Sequence, residues 1–245
     1  MNYILHHLSE TDSTNTDCKR LAREGAPHGT VVIAAHQTGG RGRMGRTFCS
    51  PKDAGLYCSV LLRPDWSIDT LQLVTAAAAV AAAEAADALC GCDTKIKWVN
   101  DLFLGGRKFC GILTEAGCVA SGGIDYVVVG IGINLRNAKA VIPRELHSVV
   151  TSIEEETGCI LTPAQMAEAL LASLERAFSA LPDPGFLKAY RERSLLLGRE
   201  ITVHSGDAVY SARAVDIDDT AGLVIRLPDG MQRILRTGEV SVRLT

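Results

Sequence analysis

Lys97-Trp98-Val99-Asn100-Asp101-Leu102-Phe103-Leu104-Gly105-Gly106-Arg107-Lys108-Phe109-Cys110-Gly111-Ile112-Leu113 reads as two apolar β segments joined by a Gly-Gly dipeptide. Two successive glycines accept the positive φ angles of a tight hairpin turn, and the flanking runs have the length and composition of strands. Such a hairpin places Asn100 and Asp101 at the end of its first strand and Lys108 where the second begins. Taken one at a time, Asn-Asp is ordinary turn chemistry and Lys108 a solvated charge. A further strand is expected just before, over residues 94–99, and a buried one just after, over 126–133.

Outward from the hairpin, helical and β-like segments alternate irregularly, which predicts a mixed α/β (α+β) domain. Residues 14–24 have a helical pattern with Ser13 as N-cap and Gly25 just past the end. Strands are expected over 30–35 and 56–62, and an alanine-rich helix over 69–89. The apolar run 73–83, with Thr75 inside it, falls short of the ~20 residues a membrane span needs, so it is expected to be a packed helix. Thr162-Pro163-Ala164-Gln165 has the form of a capping box with proline at the first helical position. Leu170, Leu174 and Leu181 then make one apolar face, widened by Leu171 and Phe178.

Beyond residue 195 the texture changes. Short β-like runs over 200–204, 209–215, 223–227, 232–235 and 240–244 are separated by turn sequences such as Pro228-Asp229-Gly230, which predicts a small all-β barrel. The expected division is 1–195 and 196–245. A unit so small is marginal alone and is expected to pack on the larger domain.

The 245 residues hold 25 Lys and Arg against 28 Asp and Glu, a formal net charge of -3. That balance disfavours an extended nucleic-acid footprint, which needs clustered excess cations. The eight cysteines are scattered, and no signal peptide opens the chain, so they read as reduced thiols of a cytoplasmic protein. Cys90-Gly91-Cys92 lacks the second pair that four zinc ligands would require, and no metal site is assigned.

Gly40-Arg41-Gly42-Arg43-Met44-Gly45 fits the loose dinucleotide pattern G-x-G-x-x-G, but no helix follows it, as a Rossmann loop requires. A Walker phosphate loop would end in Gly-Lys-Ser/Thr, which the chain lacks. What remains is a mobile loop with three guanidinium groups, those of Arg41, Arg43 and Arg46. It is either a solvated basic loop or one able to neutralise a polyphosphate through bidentate contacts. Gly130-Ile131-Gly132-Ile133-Asn134 adds a β segment where a ligand or another backbone can come close, or where a bulge sits.

Together these three segments, in this order, resemble biotin-protein ligases, with the likeness running from Ser13-Thr14-Asn15 to Gly238-Glu239-Val240-Ser241-Val242-Arg243. The resemblance implies a biotin/lipoate-ligase-type catalytic domain followed by an SH3-like domain. It implies joining biotin to ATP as biotinoyl-5′-AMP, with Mg²⁺ accompanying the ATP, then transfer of biotin to one lysine of a biotin carboxyl carrier protein. By position in the matching motifs, Ser13, Thr14, Gln37, Gly40, Arg41, Lys108 and Gly111 are expected at the biotin pocket. Arg43, Arg46, Asn100, Lys108, Asn134 and Arg243 are expected on the nucleotide side. Lys108 is the expected central catalytic group, with Arg43 sharing its charge and Asp101 orienting or deprotonating the acceptor lysine.

Two positions depart from the family pattern: Val99 stands where proline is usual, and Phe48 where tryptophan is common. About twelve residues precede Ser13, too few for the helix-turn-helix unit of members that also repress transcription, so no operator-DNA binding is expected. No membrane association is expected, and the family implies either a monomer or a homodimer. The nearest alternatives are a lipoate-protein ligase or octanoyltransferase of the same fold and, from another class, a non-catalytic binding module.

Overall fold

The computed structural model describes residues 2–67, 70–118, 123–206 and 208–241. Seven strands form the first sheet: β1 Ile4–Leu8, β2 Thr30–Ala34, β3 Gly55–Leu62, β4 Lys95–Lys97, β5 Asp101–Leu104, β6 Arg107–Cys118 and β7 Ile124–Asn134. Their order is β1-β2-β3-β7-β6-β5-β4. Only the β1–β2 pair among them is parallel; the others run antiparallel. The central strands β3 and β7 are almost wholly buried because both faces of the sheet are covered.

One face carries α1, Thr14–Arg23, whose Cys18 and Ala22 lie one turn apart and pack with Val32, Leu61, Tyr126 and Val128. Gly25 takes φ +88° after the helix, but the Ser13 side chain makes no capping hydrogen bond. The other face carries α2, Leu71–Cys90, and α4, Pro163–Ser179, with the short helices α3, Ile153–Thr157, and α5, Leu187–Glu192, beside them. Thr162 and Gln165 close the expected capping box on α4. Met166, Leu170, Leu174 and Phe178 recur at helical spacing on its buried side.

At twenty residues, α2 outruns its apolar core segment, and its length and hydropathy alone would suit a membrane span. The expectation that this segment is too short is therefore corrected, and burial becomes the argument instead. Leu73, Val74 and nearly every residue from Ala76 to Ala86 are buried, within one hydrophobic cluster shared with the sheet and α4. A helix buried all round needs small side chains if two layers are to approach it, which accounts for the alanines.

The second sheet contains β8 Glu200–Ser205, β9 Ala208–Ile217, β10 Leu223–Arg226, β11 Gln232–Leu235 and β12 Glu239–Ser241. All its pairings are antiparallel, in the order β11-β10-β9-β8-β12, as expected of an SH3-like unit. Ile201, Val203, Ala212, Ala214 and Ile217 belong to the same core cluster as Tyr190 and Leu196. Side chains of the larger layer also grip this unit: Trp98 Nε1 and Gln72 Nε2 each donate to the Ala221 carbonyl at 2.9 Å, and Arg191 Nε donates to Ile217 O at 2.8 Å.

The close packing of α2 generates a stability test. Ala82 is fully buried, so Ala82→Leu is expected to cost about 1–3 kcal/mol in urea denaturation by overpacking.

Candidate active site

The predicted hairpin is present, with Gly105 at φ +54° and Gly106 at φ +79° in its turn. It also holds an irregularity. Leu102 pairs with Cys110 but Phe103 pairs with Lys108, so Phe109 is an extra residue in β6. A bulge of this kind changes which side successive residues face. Phe109 and Cys110 are consecutively buried in the core, and Lys108 and Gly111, three apart, both reach the opposite side. A Cβ on Gly111 would lie 3.2 Å from Lys108 Cε and Nζ, so the missing side chain leaves the path the lysine takes. Lys108 Nζ ends 2.7 Å from Asp101 Oδ1, an oxygen otherwise buried and without a hydrogen bond. The Lys108 backbone is held on its other side, by N–H donation to Val149 O at 3.0 Å and acceptance from Thr151 N at 2.8 Å.

Lys108 stands where two open clefts meet and lines both of them. The first reaches back to the start of α1 and is polar there. The Gln37 side-chain oxygen, Oε1, accepts from Thr14 N at 2.9 Å and Thr14 Oγ1 at 3.2 Å. Ser59 Oγ lies 2.8 Å from Thr14 Oγ1 and 2.6 Å from Asn15 Oδ1. Asn15 fits against the sheet because residue 130 is glycine; a Cβ there would strike its amide. The second cavity has Phe48, Tyr57, Ile142, Leu146 and Val150 as apolar walls, with Asn134, Lys139 and Glu155 among its polar groups. Phe48 lines both cavities and forms the partition. Its ring meets Tyr57 edge to face at 6.5 Å and lies so close to Gly132 that a Cβ there would come within 2.5 Å of it.

The Gly/Arg loop closes the first cavity. Expected to be mobile, it has internal order: Arg41 bridges Thr47, Gly42 N donates to Arg46 O at 2.7 Å, and a short 3₁₀ turn spans Arg43–Gly45. Arg43 reaches inward, donating to Asn100 Oδ1 at 3.1 Å and to Gly238 O of the second sheet unit at 3.2 Å. Asn100 is itself clipped to β6 by a 2.8 Å bond to Ile112 O.

Of the expected residues, Ser13, Thr14, Gln37, Arg41, Arg43, Arg46, Asn100, Asp101, Lys108 and Gly111 all line the first cavity. Gly40 stands behind it, against Phe48 O and Ser50 Oγ. Asn134 lies in the second cavity, where its amide donates to Thr151 O at 2.9 Å. Arg243 lies outside the described residues. Sequence reasoning left Asn15 and Gly238 without roles, although both sit inside segments it had singled out, while Gly130 and Gly132, marked for a close approach or a bulge, prove to be where Asn15 and Phe48 come near the strand. Burial pushes the Cys58 thiol, also at the first cavity, up to about 12, which leaves it an unreactive wall. The arrangement can hold two ligands end to end and present a fixed ammonium where they meet.

Residues 8–134 match the biotin/lipoate A/B protein ligase family, and residues 196–243 match the biotin protein ligase C terminal domain. The biotin–acetyl-CoA-carboxylase ligase of Paracoccus denitrificans is 35% identical over 237 residues, covering 93% of this chain and 96% of that protein. The bifunctional ligase/repressor BirA of Bacillus subtilis is 31% identical, over 95% of this chain and 72% of its own. Among solved structures, the biotin protein ligase from Aquifex aeolicus in complex with biotin and ATP superposes with a TM-score of 0.83 at 28% identity, covering 98% of this chain and 99% of that one. Sequence and fold agree along nearly the whole length, and this chain belongs to the biotin/lipoate A/B protein ligase family.

Proposed function

We propose that this protein is an ATP-dependent biotin-protein ligase acting on a biotin carboxyl carrier protein. The observation that carries the reading is the junction of two cavities at Lys108, with Asp101 2.7 Å from its ammonium. In the first step a biotin carboxylate oxygen attacks the α-phosphorus of ATP, forming the acyl-phosphate bond as pyrophosphate leaves. Biotin in the first cavity, its ring toward Thr14, Asn15, Gln37 and Ser59, and adenine in the second, beside Phe48 and Asn134, bring the reacting atoms to Lys108. Charge gathers there on phosphoryl oxygens and on the leaving group, and a fixed ammonium stabilises it more in the transition state than before it. Arg43 and Arg46, which line the first cavity, and, by its position in the family pattern, Arg243 supply further positive charge toward phosphates lying at the junction.

In the second step the carrier lysine amine attacks the carbonyl of the mixed anhydride, an amide forms, and AMP departs. Asp101 is suited to orient that amine and take up its proton, since its carboxylate reaches the same junction. The Gly/Arg loop shields the anhydride from water meanwhile. The described residues bring together no group of three or more His, Cys, Asp or Glu suited to a metal. Mg²⁺ enters with the ATP, bound mainly through phosphate oxygens. We place the division between catalytic and C-terminal units at 195/196, supported by the C-terminal family match beginning at residue 196. A cytoplasmic location fits eight cysteines that are all free thiols.

Mass spectrometry of the purified protein with MgATP and either biotin or lipoate is expected to find biotinoyl-AMP with biotin alone. Lipoyl-AMP would move the protein to the sister activity, and no adenylate with either acid would refute the ligase reading. Lys108→Ala is expected to slow adenylate formation by about 10²–10³-fold in single turnover. Its melting temperature is expected to fall by several degrees, because Asp101 Oδ1, buried, loses its partner, so the rate is read at a temperature where circular dichroism shows the variant folded.

A further inference from the structure

The bulge at Phe109 sets the facing of β6 beyond the site as well. Gly111, Leu113 and Glu115 follow at alternate positions, so the Glu115 carboxylate emerges on the cavity face, just past the cavity floor. Both its oxygens are engaged. Oε1 is 2.7 Å from Lys19 Nζ, and Oε2 accepts from Asn15 Nδ2 at 2.9 Å and from Arg41 Nη2 at 3.1 Å. Asn15 and Lys19 are four apart on one face of α1, while Arg41 belongs to the loop over the cavity. Burial works to raise the Glu115 carboxyl, but its hydrogen bonds with Lys19 and Asn15 and the two nearby cations outweigh it and hold the group below its ordinary value.

We infer that Glu115 is a positioning residue that latches the Gly/Arg loop to the cavity floor through Arg41 and so retains the bound acyl-adenylate. The inference rests on the ligase reading above. The loop is tied by a guanidinium on each side, Arg41 on Glu115 and Arg43 on Asn100 and Gly238. The Glu115 tie is continuous with the polar end of the cavity. Asn15, which donates to Glu115, accepts from Ser59, and Ser59 touches Thr14, the partner of Gln37. A ligand ring at that end and the loop over its carboxyl end therefore share one hydrogen-bonded chain. Glu115 itself lies outside the first cavity's lining, so it acts on the ligand through Arg41, with Asn15 and Lys19 holding its carboxylate in place.

The test loads the full chain with labelled biotin and MgATP, then follows biotinoyl-AMP release into an unlabelled chase. Glu115→Gln keeps the shape and removes the charge. Release is expected to speed up roughly fivefold, as for loss of a partly exposed charge-assisted bond. KM for biotin should rise by a similar factor, with a smaller change in the single-turnover rate. Added salt should accelerate release from wild type more than from Glu115→Gln, because screening weakens an ion pair that the variant already lacks. Combined with Arg41→Gln, Glu115→Gln should add nothing to the effect of Arg41→Gln alone. Unchanged release from Glu115→Gln, or additive effects in that cycle, would overturn the latch while leaving the ligase reading intact. A wild type that forms no adenylate overturns both. Should Glu115→Gln fail to fold, Glu115→Asp draws the charge back by one methylene, and release from it at the wild-type rate would equally overturn the latch.

Discussion

Strand parity is the constraint on which this site depends. In a regular strand, residues three apart face opposite sides of the sheet, and Lys108 and Gly111 would be separated by it. The extra residue Phe109 puts the ammonium of Lys108 over Gly111 and beside Asp101, while Phe109 and Cys110 enter the core together. The same shift carries Leu113 and Glu115 to the cavity side. One backbone irregularity thus fixes the charge at the junction, the lysine's path to it and the carboxylate that holds the loop.

The surrounding layers keep that geometry rigid. Asn100 and Ile112 are tied by reciprocal bonds, Ile112 N to Asn100 O at 2.9 Å and Asn100 Nδ2 to Ile112 O at 2.8 Å. Tyr190, fully buried, donates to the Val99 carbonyl at 3.1 Å and anchors the turn from beneath. Segment 135–150 returns from β7 over the second cavity, pinned by Lys139 to Glu155 at 2.6 Å and by its backbone to Lys108. The rigid parts hold charge and shape, and the loop carrying Arg41 and Arg43 borders the first cavity, tied to it through both guanidinium groups.

Much of this was legible in the residues, for reasons that differ between elements. The hairpin turn at Gly105-Gly106, the capping box at Thr162 and the apolar runs of β3 and β7 are local signals, and each became the expected element. β1 carried none: Ile4-Leu5-His6-His7-Leu8 is a largely exposed edge strand without alternation, fixed by its parallel partner β2. The helices α3 and α5, at five and six residues, are too short to show a period. The family pattern marked the cavity residues, but neither pattern nor period shows which of two adjoining cavities a side chain enters. Asn134 and Lys108 were both expected at the nucleotide, yet Lys108 lines both spaces and Asn134 only the second. The Glu115 cluster was illegible because Glu115 lies 74 to 100 residues along the chain from Arg41, Lys19 and Asn15.

Four of the hydrogen bonds that seat the second sheet unit share one trait. Trp98, Gln72, Arg191 and Arg43 supply side-chain donors from the larger layer, and each named acceptor is a main-chain carbonyl, of Ala221, Ile217 or Gly238. A carbonyl stays in place when the side chain on its residue changes. At these carbonyls the C-terminal unit is recognised by the course of its backbone, so its side chains there can drift in evolution, whereas Asp216 and Asp219, which also meet Arg191, cannot do so without loss of a contact. The catalytic layer, which must keep the donors, bears the hereditary burden of the joint.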